Sequence, residues 1–97
     1  MEFNTNQINI MLDALDYYGN NPQVDMALEE MSELTKELLK NRRGKENRSL
    51  IANEMADVYI MLEQLKFIFG IDETELKVNV ESKILRLKNR IGGNDGD

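Results

Sequence analysis

The sequence predicts an all-α protein in which each subunit is an antiparallel four-helix bundle. Apolar residues recur at three- and four-residue steps in four separate stretches of the chain. The 97 residues include one proline, and most of the six glycines fall between those stretches. The connections are short, which favours antiparallel neighbours. We expect a single domain over residues 1–91 and a flexible tail over residues 92–97.

The first two helices have clear boundary signals. The first helix should cover about residues 6–18, with Gly19 as its C-cap. The second should begin at Asn21, an N-cap residue that is followed by Pro22 at the first helical position. It should end near Asn41, before a short basic loop. Basic residues at that end suit the negative pole of the helix dipole.

The third and fourth helices each have an apolar seam. The third should begin within residues 47–49 and end at Gly70. The fourth should open with a capping box, in which Asp72 is the cap and Glu75 lies at the third helical position. The third seam comprises Ile51, Met55, Val58, Leu62, Leu65 and Phe69, and the fourth comprises Leu76, Val80, Ile84, Leu87 and Ile91.

Composition excludes several classes of protein. The net charge of −6 argues against binding to a nucleic-acid backbone, which requires a positive surface. The chain has no cysteine, no recognisable signal peptide and no apolar run long enough to span a bilayer. These features predict a cytoplasmic protein with no membrane partner. A chain of this size has a modest core, so we expect oligomerisation to complete it.

Two acidic pairs border the apolar seams of the second and third helices. Glu30 and Glu33 form one pair and Glu54 and Asp57 form the other, each with i, i+3 spacing that places both members on one helix face. If both seams face one core, the four carboxylates converge and repel one another unless a cation meets them. Oxygen ligands alone favour magnesium. The chain has no histidine, which argues against a di-iron centre. The alternative is that both pairs are solvated surface charges.

The acidic residues also form a recognisable two-part motif. Glu29-Glu30-x-x-Glu33, followed after 20 intervening residues by Glu54-x-x-Asp57, resembles the signature of the all-α nucleoside triphosphate pyrophosphohydrolases, the MazG-like group. Gln23, residues 56–62 and the basic fourth helix are similar to compact members of that group, including phage-encoded ones. The resemblance covers roughly residues 20 to 91.

The resemblance implies a magnesium-dependent hydrolase, with manganese as an alternative ion. Such an enzyme would cleave a nucleoside triphosphate between the α- and β-phosphates and release a monophosphate and pyrophosphate. By position, Glu30, Glu33, Glu54 and Asp57 would be the metal ligands, and Glu29 would help the attacking water or lie in solvent. The resemblance also implies a homodimer or homotetramer.

Four further residues are candidates for substrate binding. Lys83 and Arg86, spaced i, i+3, would neutralise the departing pyrophosphate, or they are ordinary solvated cations. Asn79 and Gln23 would hydrogen-bond the base or sugar, or they are structural polar groups. Two alternatives to catalysis stay open. One is a non-catalytic helical dimer that regulates a partner or senses a nucleotide, and the other is a purely structural bundle.

Overall fold

The computed structural model describes residues 2–93 and is all-α, as predicted. The helices are α1 (Thr5–Tyr18), α2 (Asn20–Arg42), α3 (Arg48–Phe69) and α4 (Glu73–Ile91), and no strand occurs in this part of the chain. No helix within residues 2–93 is long and apolar enough to cross a bilayer. Residues 94–97, most of the predicted tail, lie outside the described residues.

The first helix–helix junction differs from the prediction. Gly19, at φ 93°, is the residue at which α1 ends and after which α2 begins, so the prediction that Asn21 caps α2 is wrong. The positive φ lets a single residue change the chain direction between the two helices. Pro22 therefore lies at the third helical position of α2, where a missing N–H still costs no intrahelical hydrogen bond.

The other helix ends agree with the predictions to within one residue. Gly70 adopts the left-handed conformation at the end of α3, and Asp72 Oδ1 accepts a 2.8 Å hydrogen bond from Glu75 N at the start of α4. The reciprocal bond of the predicted capping box, from Asp72 N to the Glu75 side chain, does not form. The start of α1 carries a capping box that sequence analysis missed. Asn4 Oδ1 accepts from Gln7 N at 2.8 Å, and Gln7 Oε1 accepts from Asn4 N at 2.9 Å.

Helices α2 and α3 form the main antiparallel pair, and α1 packs against both. The apolar core consists of Met11, Leu15, Ala27 and Met61. A buried polar contact lies beside it, where Gln23 Nε2 donates to Gln64 Oε1 at 2.7 Å. This bond pairs the start of α2 with the last third of α3 and thereby sets the register between the two helices.

A second polar contact closes the other end of the α2–α3 pair. Asn47 is 3 % exposed, and its Nδ2 donates to Glu37 O at 2.9 Å and to Glu37 Oε1 at 2.8 Å. Its Oδ1 accepts from Asn41 Nδ2 at 3.2 Å. Asn47 precedes α3 but its side chain does not cap that helix, because it holds the α2–α3 loop against the end of α2.

Helix α4 stands apart from the other three. No Cα of α4 lies within 8 Å of a Cα of another helix, and none of its residues is buried. Near the turn, Lys66 of α3 forms an ion pair with Glu73 of α4, and Leu76 of α4 borders a cavity together with Tyr59 and Leu62 of α3. The apolar seam predicted for this helix exists, but the rest of the described chain does not cover it.

Candidate metal centre

Three carboxylates from two helices meet at the middle of the α2–α3 pair. Glu30 projects from α2, and Glu54 and Asp57 project from neighbouring turns of α3. One carboxylate oxygen from each residue lies within 4.8 Å of the other two, and all three side chains are half-buried. Residues on two packed antiparallel helices come together only when the register is right.

The buried glutamine pair explains that register. Glu30 follows Gln23 by seven residues, and Asp57 precedes Gln64 by seven residues. Seven residues are close to two helical turns, so both steps return to the same helix face about 10 Å further along. The hydrogen bond between Gln23 and Gln64 therefore brings Glu30 opposite Asp57.

The pKa of the Glu30 carboxyl group is raised from 4.5 to about 7. The largest cause is a hydrogen bond with the Asp57 carboxyl group, followed by burial and by repulsion from Asp57, Glu54 and Glu29. Glu30 therefore keeps its proton to a higher pH than an ordinary glutamate. That proton bridges two carboxyl groups which would otherwise repel each other.

The three residues fit a small divalent cation. All of their donors are hard oxygens, the ligands that magnesium and manganese accept. Opposite oxygens in a magnesium shell lie about 4.2 Å apart. Neighbouring oxygens in that shell lie about 3 Å apart, so carboxylate oxygens within 4.8 Å of one another could reach one ion after side-chain shifts of up to about 2 Å. A divalent ion would replace the bridging proton and remove the repulsion that raises the pKa of Glu30.

Two other acidic residues of the motif lie outside this group of three. Glu33 accepts from Lys36 Nζ at 3.1 Å in an i, i+3 ion pair, so the structure brings together three of the four predicted ligands. Glu29 is exposed, yet its charge is close enough to contribute to the raised pKa of Glu30. The roles predicted for Glu29 and Glu33 remain predictions.

The predicted substrate-binding residues are dispersed in the described chain. Gln23 is buried and bonded to Gln64, which is the structural arrangement that sequence analysis considered as its alternative. Asn79 Nδ2 donates to Glu75 O within α4. Lys83 and Arg86 are exposed on α4, which does not pack beside the carboxylates in this chain.

Two members of a polar row that crosses the whole α2–α3 contact, Gln64 and Asn47, were not predicted from the sequence. Along α2 the row comprises Gln23, Glu30 and Glu37, and its partners are Gln64, Asp57 and Asn47. The Asn47 amide and then Lys40 lower the pKa of Glu37. The seven-residue spacing on α2 was the available signal, since polar residues that recur on the buried face of a helix require polar partners.

Comparisons with protein-family models, curated proteins and solved structures found no match. The resemblance to the MazG-like group therefore stays a prediction from the motif.

Proposed function

We propose that this protein is a magnesium-dependent nucleoside triphosphate pyrophosphohydrolase. It would cleave between the α- and β-phosphates, release a nucleoside monophosphate and pyrophosphate, and control nucleotide pools. The observation that supports this proposal is the convergence of Glu30, Glu54 and Asp57 across the α2–α3 contact. Those three residues are also members of the motif on which the resemblance rests.

Within this proposal the three carboxylates hold the ion and Glu29 receives a proton. A bound magnesium ion supplies charge neutralisation to the phosphates and lowers the pKa of a water molecule. Glu29 is exposed next to Glu30 and would accept the proton that this water loses. Hydrolysis of a phosphoanhydride depends on positioning and electrostatics more than on a protein nucleophile, so the missing histidine and cysteine are no obstacle.

A triphosphate needs more positive charge than the α2–α3 contact offers. Lys83 and Arg86 on α4 are the proposed partners of the phosphates, and Asn79 lies on the same side of that helix. These residues would reach the carboxylates from another copy in a homodimer or homotetramer. Gln23 would act mainly by holding the register that brings the carboxylates together.

The test is a pyrophosphate-release assay with magnesium and a panel of ribo- and deoxyribonucleoside triphosphates. We expect turnover with at least one substrate, and a loss of at least 100-fold in the Glu54→Gln variant. Glu81→Gln, which removes an exposed carboxylate on α4, is the matched control and should retain full activity. If no substrate released pyrophosphate, the proposed enzymatic activity would be refuted. If the protein then still bound nucleotides in the presence of magnesium, the alternative of a non-catalytic nucleotide sensor would be favoured.

Metal binding is tested separately from turnover. Magnesium should raise the melting temperature of the wild-type protein, because a ligand that binds only the folded state stabilises it. The rise should disappear in Glu54→Gln and persist in Glu81→Gln. Equal rises in all three proteins would show that the carboxylates do not hold the ion.

A further inference from the structure

The charges of this chain are segregated along its length. Residues 1–35 contain no lysine and no arginine, so that the first basic residue of the chain is Lys36. Residues 42–48, which join the end of α2 to the start of α3, contain four basic residues and one acidic residue. We call this segment the basic tip. The protein as a whole is acidic, and one end of its α2–α3 pair is positive.

The basic side chains of the tip are exposed and unpaired. They are Arg42, Arg43, Lys45 and Arg48. Within residues 2–93 none of the four forms an ion pair or a side-chain hydrogen bond. The two lysines that precede the tip on α2 are, by contrast, paired with Glu33 and Glu37 of their own helix. The four cations of the tip are therefore available to an external anion.

Polar contacts at the base of the tip hold its backbone in place. Asn47 is buried, and its Nδ2 donates to Glu37 O at 2.9 Å, while its Oδ1 accepts from Asn41 Nδ2 at 3.2 Å. Gly44, at φ 100°, allows the tight turn between the two helices. A loop whose backbone is already ordered loses less conformational entropy when a ligand binds.

The tip is electrostatically separate from the acidic cluster. Arg42 follows Glu30 by 12 residues, which corresponds to about 18 Å along α2. The Debye length is about 8 Å at physiological ionic strength. The negative charge of the cluster is therefore largely screened at the tip. A net charge of −6 argues against nucleic-acid binding only when the charges are evenly distributed, and here they are not.

The composition of the tip narrows the class of partner. Residues 40–49 contain no apolar and no aromatic residue, so no side chain there can enter a bilayer or stack on an unpaired base. Three of the four cations are arginines, whose planar guanidinium groups bind phosphate with two parallel hydrogen bonds. Duplex DNA has one phosphate charge per about 1.7 Å of its axis. Its backbone offers many phosphates to a surface that lacks groups for reading bases.

We propose that the basic tip binds the phosphate backbone of duplex DNA without sequence preference. This inference rests on the charges of the tip and is independent of the proposed function. With four phosphate contacts, the logarithm of the binding constant should fall with the logarithm of the salt concentration with a slope of about −3.6. Between about 50 and 200 mM salt the affinity should then fall about 150-fold.

Fluorescence anisotropy of a labelled duplex of about 20 base pairs, titrated with the full chain across that salt range, tests the proposal. The double variant Arg42→Gln, Arg43→Gln should reduce the slope from about −3.6 to about −1.8. Its control is Lys77→Gln, Lys88→Gln, which removes the same charge from exposed positions on α4 and should leave the slope unchanged. No binding at about 50 mM salt, or equal changes of slope in both double variants, would overturn the proposal.

Two further measurements identify the partner and separate this inference from the proposed enzyme. A second duplex of unrelated sequence should bind equally well, and vesicles that contain phosphatidylserine should bind less tightly. Binding to the vesicles but not to either duplex would overturn the proposal. Pyrophosphate release by Arg42→Gln, Arg43→Gln should equal that of the wild type, because the tip lies far from the carboxylates. Duplex binding by a wild-type protein that releases no pyrophosphate would support the tip and refute the enzyme.

Discussion

Helices α3 and α4 both have an apolar seam in sequence, but only α3 has a face that is buried in the folded chain. On α3, Met61 is 5 % exposed and Gln64 is 4 % exposed, whereas Leu62 of the predicted seam is 45 % exposed. On α4 no residue is buried. An apolar stripe therefore indicates that a helix packs against another surface, but it does not identify that surface. Helix α3 packs on α1 and α2 through the face with Met61 and Gln64, and the described chain covers neither the predicted seam of α3 nor that of α4.

The first prediction concerns truncation of a large apolar side chain on each helix. Met61→Ala should lower the free energy of unfolding by about 2–5 kcal/mol at every protein concentration, because it leaves a cavity in the α1–α3 core. Ile84→Ala should cost little in dilute solution and more as concentration rises, since in the proposed oligomer Ile84 would gain its neighbours from another copy. Chemical denaturation at two concentrations measures both. If both variants lowered the free energy of unfolding equally in dilute solution, Ile84 would be as well packed within one chain as Met61, which would contradict the prediction.

The second prediction concerns the buried amide at the start of α3. Asn47→Ala should destabilise the protein by about 1–3 kcal/mol near neutral pH, because the backbone oxygen of Glu37 loses its buried donor. The exposed Asn9→Ala is the control and should change stability by less than about 0.5 kcal/mol.

The Asn47 prediction has a pH dependence of known sign. Asn47 is the main cause of the lowered pKa of Glu37, so its contribution is present above the ordinary pKa of 4.5 and is lost on further acidification. The cost of Asn47→Ala should therefore shrink as the pH falls below about 4.5. A cost that is independent of pH would show that the bond to the Glu37 carboxylate contributes nothing and that the bond to the Glu37 backbone oxygen accounts for the whole effect.

The third prediction concerns the acidic cluster without metal. The pKa of Glu30 is raised to about 7, so its contribution to stability is present below 4.5 and is lost as the pH rises through 7. Glu30→Gln should therefore make the metal-free protein more stable at pH 8, by about 1 kcal/mol once solvent screening is considered. Below pH 4.5 the two proteins should be equally stable. Thermal unfolding of both proteins in chelator, at pH 8 and below pH 4.5, measures this difference. If Glu30→Gln were less stable than the wild type at pH 8, repulsion among the three carboxylates would not be the cause of the raised pKa.

Most of the helix boundaries can be predicted from the sequence because they depend on local interactions. The helix ends at Gly70 and Asp72 follow from backbone conformation and capping, and those predictions are confirmed. The start of α2 was predicted wrongly because Asn21 and Pro22 satisfy the local capping rule two residues after the true start, whereas Gly19 ends α1 and is the N-cap of α2.

The candidate site was only partly accessible for a different reason. The spacing of Glu30, Glu54 and Asp57 placed each carboxylate on a helix face, but their convergence depends on a register that Gln23 and Gln64 set from 41 residues apart. Glu33 has the same spacing and pairs with Lys36 instead. Periodicity identifies faces, and long-range hydrogen bonds decide which residues on those faces meet.

The fourth prediction compares the N-caps of α1 and α4, whose removal should change the free energy of unfolding least. Asn4→Ala removes the cap of α1, which is packed through Met11 and Leu15, so it should cost about 1 kcal/mol of global stability. Asp72→Ala removes an equivalent bond from α4. In dilute solution α4 contributes almost nothing to the core, so this loss should fray the helix and leave the free energy of unfolding within about 0.5 kcal/mol.

Hydrogen exchange separates these two responses to cap removal. Asp72→Ala should accelerate exchange in the first turns of α4 alone, while Asn4→Ala should lower protection across α1 and the helices against which it packs. If Asp72→Ala lowered global stability in dilute solution by as much as Asn4→Ala, α4 would be part of the monomer core. A cost that appears only at high concentration would instead mean that α4 gains its tertiary contacts from another copy, and that the fold of one chain is complete only in the oligomer.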